Sequence, residues 1–299
     1  MQRIFKRRAG LIIGITKIVR HSACSCEQNF SVSRKSHPVG TSRFETRILA
    51  NSVSSFDMDV IRISMWSGPR NISTAMMRSW GNRADTFVVD EPFYAYYLRA
   101  TRKKHPGFAD VIAVGETDWH KIVARLTGPI PRDRRIFFQK QMTHHLLPEI
   151  DRRWIVHLTN CFLVRDPREV ILSYIKKNPE PTLEDLGFVQ QQKIFDFVRQ
   201  QTNSLPPVVD AKDVLQNPKR ILRLLCGAIG IEFDPAMVSW RPGLRDTDGV
   251  WAKYWYGEVE RSTSFKPYQP KDGVLPDRLR EIYEQCGECY KRLYEYRLH

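Results

Sequence analysis

The chain has 299 residues, of which 42% are hydrophobic and 27% charged, and its formal net charge is +14. This composition is typical of a globular protein with an ample core and excludes a fibrous or fully disordered chain. Six cysteines do not indicate a disulfide-built secreted fold, and no stretch approaches the roughly 18 consecutive apolar residues of a membrane span.

Positive charge is concentrated at the start of the chain. Residues 1–55 contain ten Lys and Arg but only two Glu, which places a net charge of +8 there and +6 on the rest. The charge on the rest fits an anionic small-molecule ligand better than a nucleic-acid surface. We therefore expect a small-molecule partner and no nucleic acid.

Residues 1–55 are predicted to be a targeting or disordered extension, and residues 56–299 an α/β domain. Five apolar side chains of the extension can share one helix face: Ile4, Leu11, Ile12, Ile15 and Val19. With Arg and Ser in excess and few acids, this is typical of a transit peptide, which favours mitochondria or another organelle. Lys17 and Arg20 interrupt the apolar run of a secretory signal. If translation begins at Met58 instead, we expect a cytoplasmic protein.

From residue 56 onward, short apolar strands alternate with helical patterns. We predict strands at residues 60–64, 86–90, 135–140, 160–164 and 207–211, and helices at 74–82, 143–150, 168–177, 183–201 and 219–229. This alternation predicts a three-layer α/β domain in which a mostly parallel sheet is covered on both faces. Such sheets bind ligands at the carboxyl ends of their strands.

The last part of the chain contains an aromatic-rich tract and a C-terminal helix. The tract, residues 242–270, has four Trp or Tyr side chains between positions 251 and 256. It could close over a site and exclude water, or pack on the edge of the sheet. Residues 276–298 carry apolar side chains at helical spacing and predict an amphipathic helix. Cys286 and Cys289 fall on its apolar face, so we interpret them as packing residues and not as zinc ligands.

Residues 61–80 predict a buried strand, a tight turn and the start of a helix. Gly68 and Pro69 break the apolar strand, and Arg70 adds a fixed positive charge to the turn. First-turn N–H groups of a helix have no partner within it, so the turn is a candidate site for the terminal anionic group of a nucleotide-like donor. Residues 73–75 are Ser-Thr-Ala where a Walker A motif has Gly-Lys-Ser/Thr, which argues against ordinary ATP or GTP hydrolysis.

The next three predicted strands also end in charged or polar residues. Glu91 follows the second strand, Lys140 ends the third just before His144, and Arg165 ends the fourth in Arg-Asp-Pro-Arg. Because the carboxyl ends of parallel strands meet at one edge of a sheet, we expect these side chains to lie close together.

Two of these stretches together resemble the sulfotransferase family, the enzymes that use 3′-phosphoadenosine 5′-phosphosulfate. SGPRNISTAMMRSW at 67–80 is similar to the family's 5′-phosphosulfate loop, and FLVRDPREVILSYIKK at 162–177 to its 3′-phosphate motif. Residues 208–235 are similar to the strand, Asn-Pro and helix with which the family's domain ends. The resemblance covers about residues 60–240. It implies a P-loop-like fold and metal-free transfer of a sulfuryl group to a hydroxyl or amine of a small-molecule or carbohydrate acceptor.

The resemblance also implies roles for individual residues. Arg165 and Ser173 would bind the donor's 3′-phosphate, although an ion pair between Arg165 and a neighbouring carboxylate is the alternative. Arg70 would neutralise the sulfate and bridging oxygens, and Lys140 could contact the leaving bridging oxygen. The 5′-phosphosulfate would be held by the turn residues Ser67, Gly68, Pro69, Arg70, Asn71, Ile72, Ser73 and Thr74.

The acceptor needs a general base, and members of the family differ in which residue supplies it. Glu91, in VVDEPFYAYYL, matches the Glu-Pro placement of the carbohydrate-type and bacterial members, and we favour it. Aromatic neighbours can raise the pKa of a carboxyl group, which suits a general base. The alternative is His144 or His145, although the family's His position falls closest to Met142. His144 could equally be a helix N-terminal or surface residue.

Two departures from the family's pattern qualify the resemblance. Arg70 stands where many members have Lys, and the late Arg-Lys-Gly motif of the cytosolic members is absent. The competing hypotheses are a small-molecule kinase or other P-loop nucleotide-binding enzyme, and a non-catalytic P-loop-like binding domain. The sequence does not indicate an oligomeric state.

Overall fold

Five parallel strands form one sheet in the computed structural model, which describes residues 60–299. Their order is β2-β3-β1-β4-β5. The strands are β1 (Ile61–Ser67), β2 (Thr86–Asp90), β3 (Ile136–Met142), β4 (Thr159–Val164) and β5 (Val208–Asp210). All four neighbouring pairs are parallel. The predicted α/β fold class is confirmed, with each predicted strand displaced by three residues or fewer at its ends. The predictions for residues 1–55 lie outside the described residues.

Helices cover both faces of the sheet. Alternate side chains of β1 enter different apolar clusters, with Met65 on one face and Trp66 on the other, as the pleat of a strand requires. The longer helices are α1 (Ser73–Gly81), α2 (Tyr94–Thr101), α3 (Phe108–Val114), α4 (Trp119–Thr127), α5 (Pro167–Tyr174), α7 (Phe188–Thr202), α9 (Pro218–Ala228) and α12 (Arg280–Tyr294). The shorter ones are α6 (Leu183–Leu186), α8 (Ala211–Gln216), α10 (Ala252–Trp255) and α11 (Gly257–Glu260).

Two predicted helices differ from the structure, and prolines and glycines explain both differences. The helix predicted at 143–150 is wrong, since only a 3₁₀ turn forms at Thr143–His145. Pro148 has no N–H and disfavours helical backbone in the residue before it. The helix predicted at 183–201 is divided into α6 and α7 at Gly187, where φ is +73°. A Cβ at that position would lie 2.5 Å from the Thr143 hydroxyl, so only glycine fits.

The C-terminal helix has the packing role that its sequence predicts. The side chains of Cys286, Cys289 and Leu293 on α12 are buried, and both cysteines are free thiols. The helix packs against α5 and α7, so the interpretation of the C-x-x-C as packing residues is confirmed. All helices of residues 60–299 are too short or too polar to cross a lipid bilayer.

The aromatic-rich tract packs against the carboxyl edge of the sheet. Asp248 of the tract accepts two hydrogen bonds from the guanidinium of Arg78 on α1, at 2.5 and 2.6 Å. Trp251 and Tyr256 are buried in the same apolar cluster as strands β1 and β3. Tyr256 also contacts the side chain of Lys140 at 2.6 Å. The tract therefore lies against the strand ends at which the sequence predicts the site.

Candidate active site

The turn between β1 and α1 has an unusual backbone that suits an anion. Arg70 and Ile72 both have positive φ, at 57° and 48°, while Asn71 between them does not. Alternation of this kind turns successive N–H groups toward one concave side, which is an anion-binding nest. Gly68 is required sterically, because a Cβ there would lie 2.7 Å from the Leu186 carbonyl oxygen. The side-chain amide of Asn71 donates to the Leu163 carbonyl at 2.6 Å and fixes the turn to β4.

Arg70 joins the two motifs that lie about a hundred residues apart in the sequence. Its Nε donates to the hydroxyl of Ser173 on α5 at 3.0 Å. The guanidinium of Arg165 donates to the backbone carbonyl of Arg70 at 2.8 Å. The structure thus brings together the three residues predicted to bind the two phosphates of the donor. Two cations and a row of backbone N–H groups converge at this point.

Arg165 also forms the ion pair that the sequence leaves as an alternative. Its Nε and Nη2 both lie 2.9 Å from Glu169 Oε2, and both side chains are about 10% exposed. The hydroxyl of Tyr268 donates to the other oxygen of Glu169 at 2.7 Å.

Burial lowers the pKa of Arg70, Glu258 acts in the opposite direction, and Arg165 adds to the lowering. The charge of Arg70 is therefore only partly compensated by the protein.

Glu91 lies at the end of β2 in a network of buried charges. Its carboxylate lies 2.6 Å from the ammonium of Lys140, which also donates to Asp90 at 2.9 Å. Glu91 has φ of 38°, a conformation that costs energy in a residue with a side chain and is found mostly at functional sites. Its side chain is 13% exposed, whereas those of Lys140 and Asp90 are 1% exposed. Glu91 is therefore the member of the network that solvent or a substrate reaches.

The charges of the network alter one another's protonation. Burial raises the pKa of Glu91, Lys140 opposes this effect, and Asp90 reinforces it. Burial alone would lower the pKa of Lys140, but Asp90 and Glu91 outweigh burial and hold that pKa well above its usual value. The three N–H groups of Lys140 all have partners among Asp90, Glu91 and Tyr256. The predicted contact of Lys140 with the leaving oxygen would require one of these partners to be exchanged.

His144 and His145 are buried beside this network, so the alternative of a surface position for His144 is wrong. His144 is 7% exposed, and burial lowers its pKa to about 3. The ring of His145 stacks on Tyr94 and Tyr97, with centroids 4.8 and 4.6 Å apart, and its Nδ1 lies 3.9 Å from Glu91 Oε2. Burial also lowers the pKa of His145 well below its usual value. Both imidazoles are uncharged at neutral pH and are weak bases.

Two residues of the site were not singled out from the sequence. Tyr256 and Asp90 accept the other two hydrogen bonds of Lys140, and Tyr256 OH lies 2.6 Å from Asp90 Oδ2. Asp90 directly precedes Glu91, so the strand-end rule that identified Glu91 also applies to it. For Tyr256, the only available signal was the aromatic density of its tract.

The described residues also form a cleft away from this edge. A cleft of about 250 Å³ lies at the other end of the strands, between Asn160 and Pro207, but no charged side chain lines it. Within residues 60–299, no group of three or more His, Cys, Asp and Glu side chains is arranged to hold a metal ion.

A comparison with protein families identifies the domain. The model of the family described as "Sulfotransferase domain" matches residues 61–291. The chain belongs to this family. Residues 61–291 are therefore called the sulfotransferase domain.

Two curated proteins match part of this chain. The chain is 30% identical over 232 residues to "Branched-chain-amino-acid aminotransferase-like protein 2" of Arabidopsis thaliana, in a match that covers 77% of this chain and 41% of that protein. The chain thus spans about two fifths of the length of the curated relatives it matches.

Two solved sulfotransferases were also compared with the structure. The sulfotransferase from Alicyclobacillus acidocaldarius shares 13% identity at a TM-score of 0.48, with 80% of this chain and 97% of that chain covered. The sulfotransferase domain from the curacin biosynthetic pathway shares 15% identity at a TM-score of 0.45, with 76% and 97% covered.

Proposed function

We propose that this sulfotransferase domain moves a sulfuryl group from 3′-phosphoadenosine 5′-phosphosulfate to a hydroxyl or amine of a small-molecule or carbohydrate acceptor. The observation that carries the proposal is the hydrogen bond between Arg70 and Ser173. It places the anion-binding turn after β1 beside the Arg-Asp-Pro-Arg segment after β4, so one ligand with two separate anionic groups can bind both. A nucleotide with 3′- and 5′-phosphates is such a ligand.

The residues present fit this donor. The turn offers N–H groups on a concave side, and the side-chain N–H of Asn71 holds the turn in place through the Leu163 carbonyl. Ser67, Pro69, Ser73 and Thr74 complete the proposed 5′-phosphosulfate site, and Arg165 with Ser173 forms the proposed 3′-phosphate site. A bound donor supplies the sulfuryl group together with a good leaving group.

The protein's part in the reaction is to position the groups and to stabilise charge. Negative charge spreads over the sulfuryl oxygens during transfer, and Arg70 together with the N–H groups of the turn stabilises that charge, as in phosphoryl transfer. Glu91 accepts the proton of the attacking hydroxyl or amine, because its side chain, at 13% exposure, is the most accessible one in the network. Lys140 holds this carboxylate in place, and it would reach the leaving oxygen only by exchanging one of its three hydrogen-bond partners.

Nucleotide protection of the full chain in a thermal-unfolding assay tests the proposal. We expect adenosine 3′,5′-bisphosphate to raise the melting temperature and ATP with Mg²⁺ to have little effect, because only the former has a 3′-phosphate for Arg165. Equal protection by both nucleotides would favour the kinase hypothesis. Protection by neither would contradict a donor site at this edge.

The acceptor is tested by transfer of labelled sulfate to panels of compounds. Phenols, aliphatic alcohols, amines and monosaccharides represent the proposed classes, and labelled products are separated by chromatography. Bisphosphate protection without transfer to any class would favour the non-catalytic binding domain. The chain spans only about two fifths of the aminotransferase-like relatives, so aminotransfer is no part of this proposal.

We also propose that residues 1–55 direct the domain to mitochondria or to another organelle. Their excess of Lys and Arg over acids supports this proposal. A fluorescent protein fused after residue 55 should enter the organelle, and the same fusion with Arg3, Lys6, Arg7 and Arg8 replaced by Ser should not. A fusion that stays in the cytoplasm in both forms would support a cytoplasmic protein.

A further inference from the structure

Tyr256 reaches from the aromatic-rich tract into the charged network at the ends of β2 and β3. Its hydroxyl accepts a hydrogen bond from Lys140 at 2.6 Å and donates one to Asp90 Oδ2 at 2.6 Å. The indole N–H of Trp251, in the same tract, donates to this hydroxyl at 3.3 Å. The side chain of Tyr256 is buried, as are those of Lys140 and Asp90. The Tyr256 hydroxyl therefore connects the tract with Lys140 and Asp90, the other two charged members of the network.

The contacts of Tyr256 determine where Lys140 can lie. Asp90 uses Oδ1 to accept from Lys140 and Oδ2 to accept from Tyr256 and from the backbone N–H of Gly249. The ammonium is thereby fixed between two acceptors and directs its third N–H to Glu91 at 2.6 Å. A lysine is a point charge on a flexible stem, so its direction has to be imposed by such partners.

We propose that Tyr256 is a positioning residue that orients Lys140, and through it the carboxylate of Glu91, for proton abstraction from the acceptor. This inference rests on the proposed function, because Glu91 is the base only if the domain transfers sulfuryl groups. Tyr256 itself is buried against Lys140, and this role requires no contact with either substrate.

The balance of charge in the network sets the expected consequence of losing the hydroxyl. Two carboxylates, of Asp90 and Glu91, face one ammonium, that of Lys140. The other titratable groups that face Glu91 are His145 and Tyr94, and both are neutral at pH 7. Without the Tyr256 hydroxyl, Asp90 loses a hydrogen-bond donor and the network binds a proton more tightly. The pKa of Glu91 should therefore rise further.

The test compares Tyr256→Phe with Tyr290→Phe in the full chain. Tyr290 on α12 is a matched control, because its hydroxyl also donates to a buried aspartate, Asp210, at 3.0 Å, but Asp210 ends β5, at the opposite side of the sheet from β2 and Glu91. Carboxyl protonation is followed by infrared difference spectroscopy, with Glu91→Gln to assign the signal. We expect the Glu91 signal to titrate about one pH unit higher in Tyr256→Phe, and unchanged in Tyr290→Phe.

Kinetics provide the second measurement. The acidic limb of the pH dependence of kcat should move upward by the same amount in Tyr256→Phe, while the affinity for adenosine 3′,5′-bisphosphate stays as in the wild type. If Tyr256→Phe does not fold, Trp251→Phe removes the neighbouring hydrogen bond and should give a smaller shift in the same direction.

The two proposals fail in different ways. If the Glu91 signal titrates in Tyr256→Phe as it does in the wild type, the positioning role is overturned, whether or not the domain transfers sulfate. Absence of both bisphosphate protection and transfer in the wild type would overturn the proposed function, while the infrared titration would still decide whether Tyr256 acts on Glu91.

Discussion

Arg70 and Ser173 are separated by 103 positions in the chain and joined by a 3.0 Å hydrogen bond between Nε and the hydroxyl oxygen. The strand order explains this contact, because β1 and β4 are neighbours and Ser67 pairs with Leu163. The segments that leave the two strands therefore begin side by side. Each contributes cations and N–H groups to one edge of the sheet, and neither segment forms the site alone.

Arg70→Lys should weaken binding of adenosine 3′,5′-bisphosphate about tenfold, because lysine keeps the charge but loses the Nε contact with Ser173. Isothermal titration measures this loss, with Arg153→Lys on the surface as the control. Ser173→Ala should cause at least as large a loss, because it also removes a proposed contact with the 3′-phosphate. The losses in the double variant should be less than additive, because both changes remove the Arg70–Ser173 hydrogen bond. Fully additive losses would show that the two residues act independently.

Arg165→Ala should have two separable effects. It leaves the carboxylate of Glu169 buried without its ion pair, which should lower the free energy of unfolding by about 3 kcal/mol or more. It should also weaken bisphosphate binding. Urea denaturation and titration measure the two effects.

The double variant Arg165→Ala, Glu169→Gln distinguishes the two roles of Arg165. Neutralising Glu169 should recover part of the stability, because no unpaired charge remains buried, but it should not recover bisphosphate affinity. If Arg165→Ala loses stability and keeps its full affinity, Arg165 is a structural residue and the 3′-phosphate assignment is wrong.

Glu91→Gln should lower kcat by about 10²-fold or more while leaving bisphosphate affinity unchanged, because the amide cannot accept the acceptor's proton. In the wild type, kcat should increase with pH through a pKa above the usual carboxyl value, since burial raises the pKa of Glu91 and the ionised form is the active base. His144→Gln is the comparison. Its effect should be a few-fold, and a larger loss than in Glu91→Gln would transfer the role of base to the histidine.

Local signals in the sequence were sufficient for most of the fold. The strands are short apolar runs bounded by Gly, Pro or charged residues, and the segments at residues 67–74 and 165–173 each carry a recognisable spacing. α4 was missed although its sequence contains the signal, since Asp118 caps it and Ile122 and Leu126 are buried one turn apart. α2 was missed for a different reason: it buries Tyr94 and Tyr97, whose hydroxyl groups conceal an apolar face.

The charged network could be predicted only in part. Glu91 and Lys140 follow from strand ends in a parallel sheet, but their 2.6 Å contact depends on the register of β2 against β3, where Asp90 pairs with Lys140. Tyr256 is 166 positions from Asp90 and lies between the short helices α10 and α11, so no periodic pattern links the two residues. Contacts of this kind result from packing of the whole domain.

Buried histidines should make the domain sensitive to mild acid. Burial lowers the pKa of His144 to about 3 and that of His145 well below its usual value. Below about pH 6.5 the unfolded chain binds a proton at each histidine and the folded chain does not, so stability is lost as the pH falls. Each should cost about 1.4 kcal/mol of unfolding free energy per pH unit below that point.

Urea denaturation between pH 7.5 and 5 measures this dependence. His144→Gln should remove the contribution of one of the two histidines from the slope, because glutamine does not titrate. His120→Gln is the surface control, since that side chain is 71% exposed. A slope in His144→Gln equal to that of the wild type would mean that the imidazole is protonated in the folded state, and the case against His144 as the general base would then lose its main support.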